Sequence, residues 1–307
     1  MEISFLVFEK LLALFLLMGM GLLFAQQGIF TKEVTLQLSK LLTKFVAPSL
    51  FVSSFVEAEF SWEKLSNLGI SFLAALLILG TRIIIVHFLF PAQRNMDKYA
   101  TLFANVGFMG TPLALAVGGK EAVFYISGFV IANQLTQWTY GIYLISRDRS
   151  VVNPRSLLLN PATLGTVIGI FFFVLPIEIP QVFVGAVDSF AALNTPLSTL
   201  VLGAYFYKAS PRQIFLYRPA YQTAFWRLIG TSVFSILLIW ALPIGETDVK
   251  LALSIASASP SALNTALLSQ VYGGDYEYGS RLVLLTTTLS LLTIPIVMGL
   301  AGILYLN

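Results

Sequence analysis

The chain has 307 residues, 57% of them hydrophobic, with only 18 basic and 15 acidic side chains and a formal charge of +3. Too few charges are present to cover a water-soluble surface, so a polytopic membrane protein is expected. There is no cysteine and one histidine, which excludes thiolate metals, iron–sulfur clusters, disulfides and multi-histidine metal sites. No basic block with interleaved aromatics points to nucleic acid.

A membrane helix needs about 20 mostly apolar residues, because its backbone must satisfy itself within the segment. Ten stretches qualify, near 5–27, 36–57, 66–89, 98–118, 121–145, 160–176, 181–207, 222–242, 248–272 and 279–304. The first starts with Glu2 and Glu9 and lacks a basic leader or small-residue cleavage site near Ala25, so it is read as a retained helix. The fourth and ninth are rich in Gly, Ser, Thr, Asn and Pro rather than Leu and Ile.

Basic loop residues set orientation. With the N-terminus outside, Lys32, Arg94, Lys98, Arg147, Arg149, Arg155, Lys208, Arg212, Arg218 and Arg281 fall on the inner side. Only Lys64, Lys120 and Lys250 fall outside. Both termini then face outward, in a cell membrane. Lys40 and Lys44 at the inner end of the second stretch, and Arg82 and Arg227, read as cations reaching for headgroups. His87 reads as a bland interfacial residue. Trp62, Trp138, Trp226 and Trp240 suit an interfacial belt.

The basic segment 146–159 divides the chain into residues 1–145 and 160–307, each with five spans. Five is odd, so the second half enters the bilayer from the opposite side, the inverted repeat of many secondary transporters. Pro48 and Pro196 interrupt the second and seventh spans. Asn105-Val-Gly107-Phe-Met-Gly110-Thr-Pro112 and Ser257-Ala-Ser259-Pro260-Ser-Ala-Leu-Asn264 interrupt the fourth and ninth. Proline removes a backbone donor, and glycine weakens a helix. A half-helix starting beyond such a break offers free N–H groups and a partial positive charge to an anion. The candidate binding residues are therefore Asn105, Gly107, Gly110, Pro112, Ser259, Pro260 and Asn264. Asp188, an acid within the seventh span, is a candidate for a coupling proton or for an ion pair with a lysine of the other half; Lys40 is the matching charge in the second span. Gly165-x-x-x-Gly169 reads as a helix-packing motif.

The motif from Asn105 to Pro112, Asn160-Pro161, Ser259-Pro260, Gln270-Val-Tyr-Gly-Gly-Asp275 and the tail Leu284 to Pro295 together resemble the auxin efflux carrier family over the whole chain. The resemblance implies an all-α membrane protein of ten helices in a five-plus-five inverted repeat, with broken fourth and ninth helices that cross near mid-membrane. It implies elevator-type transport of an organic anion, without a cofactor, by a protein that often dimerises. Asn105 matches an asparagine that holds the substrate carboxylate in plant members. Those members have proline just before it, where this chain has Ala104, so Gly107 and Gly110 become candidates for the break. The short join resembles bacterial-type members, which carry small mono- or dicarboxylates. A sodium-coupled symporter of the bile-acid type is the alternative, with Ser257, Ser259 and Gln270 as cation ligands, and a non-transporting receptor is a further one. No aspartate pair or metal-ligand set suggests an enzyme.

Overall fold

The computed structural model describes residues 2–148, 150, 160–175, 177, 179–207 and 211–306. Most of the expected connecting segment 146–159, with Arg149 and Arg155, lies outside the described residues, as do Glu178 and Lys208. Among the described residues every regular element is helical, and the sole β-type pairing is an isolated bridge between Ala104 and Ser261.

In chain order the helices are α1 (Glu2–Gln26), α2 (Lys32–Leu41), α3 (Ala47–Val56), α4 (Trp62–Leu89), α5 (Asn95–Leu102), α6 (Thr111–Thr136), α7 (Ile142–Ser146) and α8 (Pro161–Val174). Then come α9 (Gln181–Ala192), α10 (Asn194–Tyr205), α11 (Pro211–Phe215), α12 (Pro219–Phe225), α13 (Thr231–Ala241), α14 (Thr247–Ala258), α15 (Asn264–Tyr272) and α16 (Tyr276–Leu306). Among the described residues, five helical stretches are long and apolar enough to cross a membrane: Ile3–Gln26, Trp62–Leu89, Val106–Ser146, Pro219–Ala241 and Tyr276–Tyr305. Leu16, Leu73, Phe88, Val182, Phe183 and Ile296 are well exposed. Large apolar side chains turned outward in this number fit a lipid solvent.

Local chemistry explains the boundaries. Thr31 and Ser61 accept from the backbone N–H of Val34 and Lys64 and so cap α2 and α4. Asn160 caps α8 through Ala162 N, with Pro161 in the first turn where its missing donor costs nothing. The stretch Val106–Ser146 bends at Gly118 and Gly119, where φ of +62° at Gly119 suits glycine. Among the described residues, four π turns interrupt the helices: Leu42–Val46, Val106–Gly110, Gln137–Gly141 and Trp226–Gly230. The first directly precedes the turn containing Pro48.

Small residues let the helices approach. A Cβ on Gly165 or Gly169 of α8 would collide with Pro48 or Phe55 of α3, so this motif does serve packing. A Cβ on Gly21 of α1 would lie 2.0 Å from the Leu200 carbonyl oxygen of α10, and one on Gly203 would lie 1.9 Å from that of Met18. Backbone cannot yield there as a flexible side chain can. Gly203→Ala should therefore lower stability by ~2 kcal/mol or more, while Gly19→Ala, with nothing within 4 Å of its new Cβ, should leave the detergent melting temperature nearly unchanged.

Candidate substrate site at the helix break

Helix α5 stops at Leu102, and α14 stops at Ala258. The chain beyond each runs extended, and the two segments pair antiparallel. Asn105 N donates to Pro260 O at 2.8 Å, and Ala262 N donates to Phe103 O at 3.0 Å. Ser261 Oγ donates to Ala100 O at 2.9 Å, and Ser261 N donates to Thr286 Oγ1 at 3.2 Å. This short pairing replaces the intrahelical bonds that the interruption removes. The break falls before Asn105, at 103–105, and not at Gly107 or Gly110. Pro112 comes after helical structure has resumed, directly behind the π turn Val106–Gly110, so it does not mark the break. Gly110 instead permits contact: a Cβ there would lie 2.8 Å from Ser259 Oγ. Gly107 is exposed and faces open space.

Helical structure resumes at Val106 and at Asn264. Asn105 caps the first restart, its Oδ1 accepting from Phe108 N at 3.4 Å. The second has no side-chain cap, so its leading N–H groups have no partner of that kind. The Asn105 side chain is 3% exposed, yet its Nδ2 has no partner. Asn133 Nδ2 points to Ala104 O at 3.5 Å, leaving Asn133 Oδ1 unmatched. One turn later on the same helical stretch, Gln137 Oε1 accepts from Asn264 Nδ2 at 2.7 Å. Ser257 Oγ, Thr111 Oγ1 and Thr265 Oγ1 are also buried without partners. Asn194, at the start of α10, has both amide atoms unmatched. Neutral donors and acceptors thus collect around two half-helix N-termini. Among these, Asn133, Gln137 and Asn194 lie outside the motifs that the sequence marked. A polar residue in an apolar span and a π turn at Gln137 are the signals that could have found two of them.

Arg82 and Arg227 do not reach for headgroups. Both are fully buried. Arg227, in the π turn Trp226–Gly230, donates to Ser259 O (3.0 Å from Nε, 2.6 Å from Nη2), Ser257 O (2.8 Å) and Thr101 O (3.1 Å). Arg82 donates to Ser257 O at 3.1 Å and to Ser235 Oγ at 2.8 Å. These carbonyls belong to the C-terminal ends of α5 and α14, which lack intrahelical donors and carry partial negative charge. The arginines cover the negative ends, and the positive ends stay open.

Comparison with known proteins points to membrane transport. A family model described as "Membrane transport protein" matches residues 6–153 and 148–298. The chain belongs to this auxin efflux carrier-type membrane transport family. An "Uncharacterized transporter" of Methanocaldococcus jannaschii is 27% identical over 210 residues, covering 64% of this chain and 65% of that protein, slightly less than two thirds of its length. A "Putative malonate transporter" of Rhizobium meliloti is 25% identical over 232 residues, covering 70% of this chain and 68% of that one.

Other flagged residues of this transporter lie elsewhere. Asp188 accepts from Ser53 Oγ at 2.6 Å and pairs with Lys120 of the first half at 3.0 Å; Lys120 also contacts Glu57. Lys40 is exposed and is not Asp188's partner; Lys44 is exposed too. His87 meets Ile83 O and Tyr140 OH on an exposed surface. An apolar cavity of about 310 Å³ between α4, α6 and α8, lined by residues such as Leu68, Phe72 and Ile170, does not include the break. A buried carboxylate just outside the fourth predicted span, Asp97, joins three elements. It accepts from Arg94 (2.8 Å), Tyr278 OH (2.5 Å) and Thr223 Oγ1. The hydrogen bonds to Asp97 hold the Arg94 guanidinium above its usual range. Asp97→Ala should lower stability by ~3 kcal/mol, readable as an earlier thermal transition, because α5, α12 and α16 lose their shared acceptor.

Proposed function

We propose that this transporter is a secondary carrier of a small organic anion, a mono- or dicarboxylate, bound where the two broken helices cross. The observation that carries the reading is the pair of half-helix N-termini at Val106 and Asn264 beside a buried Asn105 whose Nδ2 has no partner. Such a site attracts a carboxylate through dipoles and amide donors. Asn105, Gly107 and Asn264 would face the substrate. Gly110, Pro112, Ser259 and Pro260 would shape the backbone around it.

The architecture in this proposal is ten spans in two inverted halves, residues 1–145 and 160–307, joined by 146–159. Several pairings support it. The first span meets the seventh at Gly21 and Leu200, and the sixth meets the second at Gly165 and Pro48. Exchanging the halves turns one contact into the other. The same exchange relates one break to the other. Motion of the crossing unit against the remaining spans, elevator fashion, would expose the site alternately to each side. The protein would sit in the cell membrane with both termini outside, with a homodimer as its assembly. The relative named for malonate adds support for a carboxylate.

Sodium coupling of the bile-acid type is less well supported. Gln270 is exposed, and the carbonyls of Ser257 and Ser259 that could ligate sodium are engaged by Arg227. A fixed guanidinium there repels a second cation. Exchanging sodium for choline should therefore leave flux in proteoliposomes unchanged. Asn105→Ala should reduce carboxylate flux by about tenfold or more while the melting temperature stays near that of the native protein, since a lost charge-assisted hydrogen bond is worth roughly 1.5–3 kcal/mol. Undiminished flux would remove Asn105 from the site.

A further inference from the structure

Two fixed cations lie at the helix break without a carboxylate of their own. Arg82 and Arg227 are completely buried, and among the described residues neither forms an ion pair. Their hydrogen bonds go to neutral carbonyls and a serine hydroxyl. Arg82 Nη1 has no protein partner at all. The buried carboxylate a helical turn from Thr101, Asp97, is already matched by Arg94. A guanidinium stays protonated inside proteins, so both positive charges persist.

The surrounding helix ends change this balance little. The C-termini of α5 and α14 contribute about half a negative charge each, and the N-termini at Val106 and Asn264 about half a positive charge each. These cancel, leaving roughly two positive charges around the break. A dianion neutralises such a site, whereas a monoanion leaves one charge unbalanced in a low-dielectric interior.

We infer that Arg82 and Arg227 are positioning residues that give the site its preference for a small dianion over a monoanion of the same size. This rests on the carrier reading above and adds the charge class of the substrate and its cause. The arginines act through the backbone and through space. Arg227 Nη2 holds Ser259 O at 2.6 Å, and the next residue, Pro260, accepts from Asn105 N at 2.8 Å. The guanidinium contact and the backbone bond of Asn105 therefore fall on adjacent residues.

The test uses malonate, its monomethyl ester as a matched monoanion, and sulfate as an inorganic dianion. Binding to the purified full chain is followed by thermal shift and calorimetry. The native protein should bind malonate at least about tenfold more tightly than the half-ester. Its malonate affinity should fall as pH drops through malonate's second ionisation, while half-ester affinity holds. Arg82→Gln and Arg227→Gln should each reduce the malonate-to-half-ester ratio by about tenfold, mostly through weaker malonate binding. Arg82→Lys and Arg227→Lys should keep more of the ratio than the glutamine variants, to the extent that the buried amine stays protonated. If the glutamine variants do not fold, the native comparison of malonate with its half-ester carries the test. Equal native affinity for malonate and half-ester overturns the inference and leaves the carrier reading standing. So does an equal loss of both in the glutamine variants, or a folded lysine variant that keeps less of the preference than its glutamine counterpart. Sulfate binding alone, or no binding of any probe, removes the carboxylate-carrier reading itself.

Discussion

Backbone polarity inside an apolar solvent is the constraint on which this fold turns. A helix that stops midway through a membrane protein leaves up to four carbonyls at one end and four N–H groups at the next start. Each unmatched group costs several kcal/mol away from water. At the negative ends the solution is a guanidinium. Arg227 gathers the carbonyls of Thr101, Ser257 and Ser259 into one fork of donors, and Arg82 takes Ser257 from the other side. Lysine, with a compact head and no planar fork, would not span these acceptors in the same way. The short antiparallel pairing of Ala104 with Ser261 meets part of the remaining demand.

The positive ends are treated differently. Asn105 caps one restart loosely at 3.4 Å and keeps its own amide nitrogen free, while the restart at Asn264 has no side-chain cap. Asn133 and Gln137, one turn apart on the helical stretch beside both restarts, fix the neighbouring amides. A carrier must hold its solute and then release it. On the carrier reading proposed above, dipoles and neutral amides would suit that task, and charge held behind the backbone would bias which anion enters without gripping it directly.

Away from the break, ion pairs tie the elements together. Asp188, Ser53, Glu57 and Lys120 join α3, α6 and α9 next to the Gly118–Gly119 bend. Asp97, Arg94, Thr223 and Tyr278 join α5, α12 and α16. Both clusters are part-exposed at one or more members. Their contribution is anchoring, with the packing itself supplied by close helix contacts such as Gly21 with Leu200 and Gly203 with Met18.

Composition and periodicity alone determined that this is a helical membrane protein. Prolines and glycines marked two places where helices weaken. Asn105, Ser259, Pro260 and Asn264 were legible because residues of that kind rarely cluster in an apolar span without reason. Tertiary structure decided the rest. The break lies at 103–105, ahead of Pro112, which is accommodated behind a π turn; a proline signals only that some irregularity lies nearby. Asp188 found Lys120, a partner 68 positions away that no local spacing reveals. Arg82 and Arg227 looked like headgroup anchors because an arginine near a helix end has that option whenever lipid is its neighbour. Their burial depends on carbonyl ends supplied by other helices, and that arrangement exists only after the chain has folded.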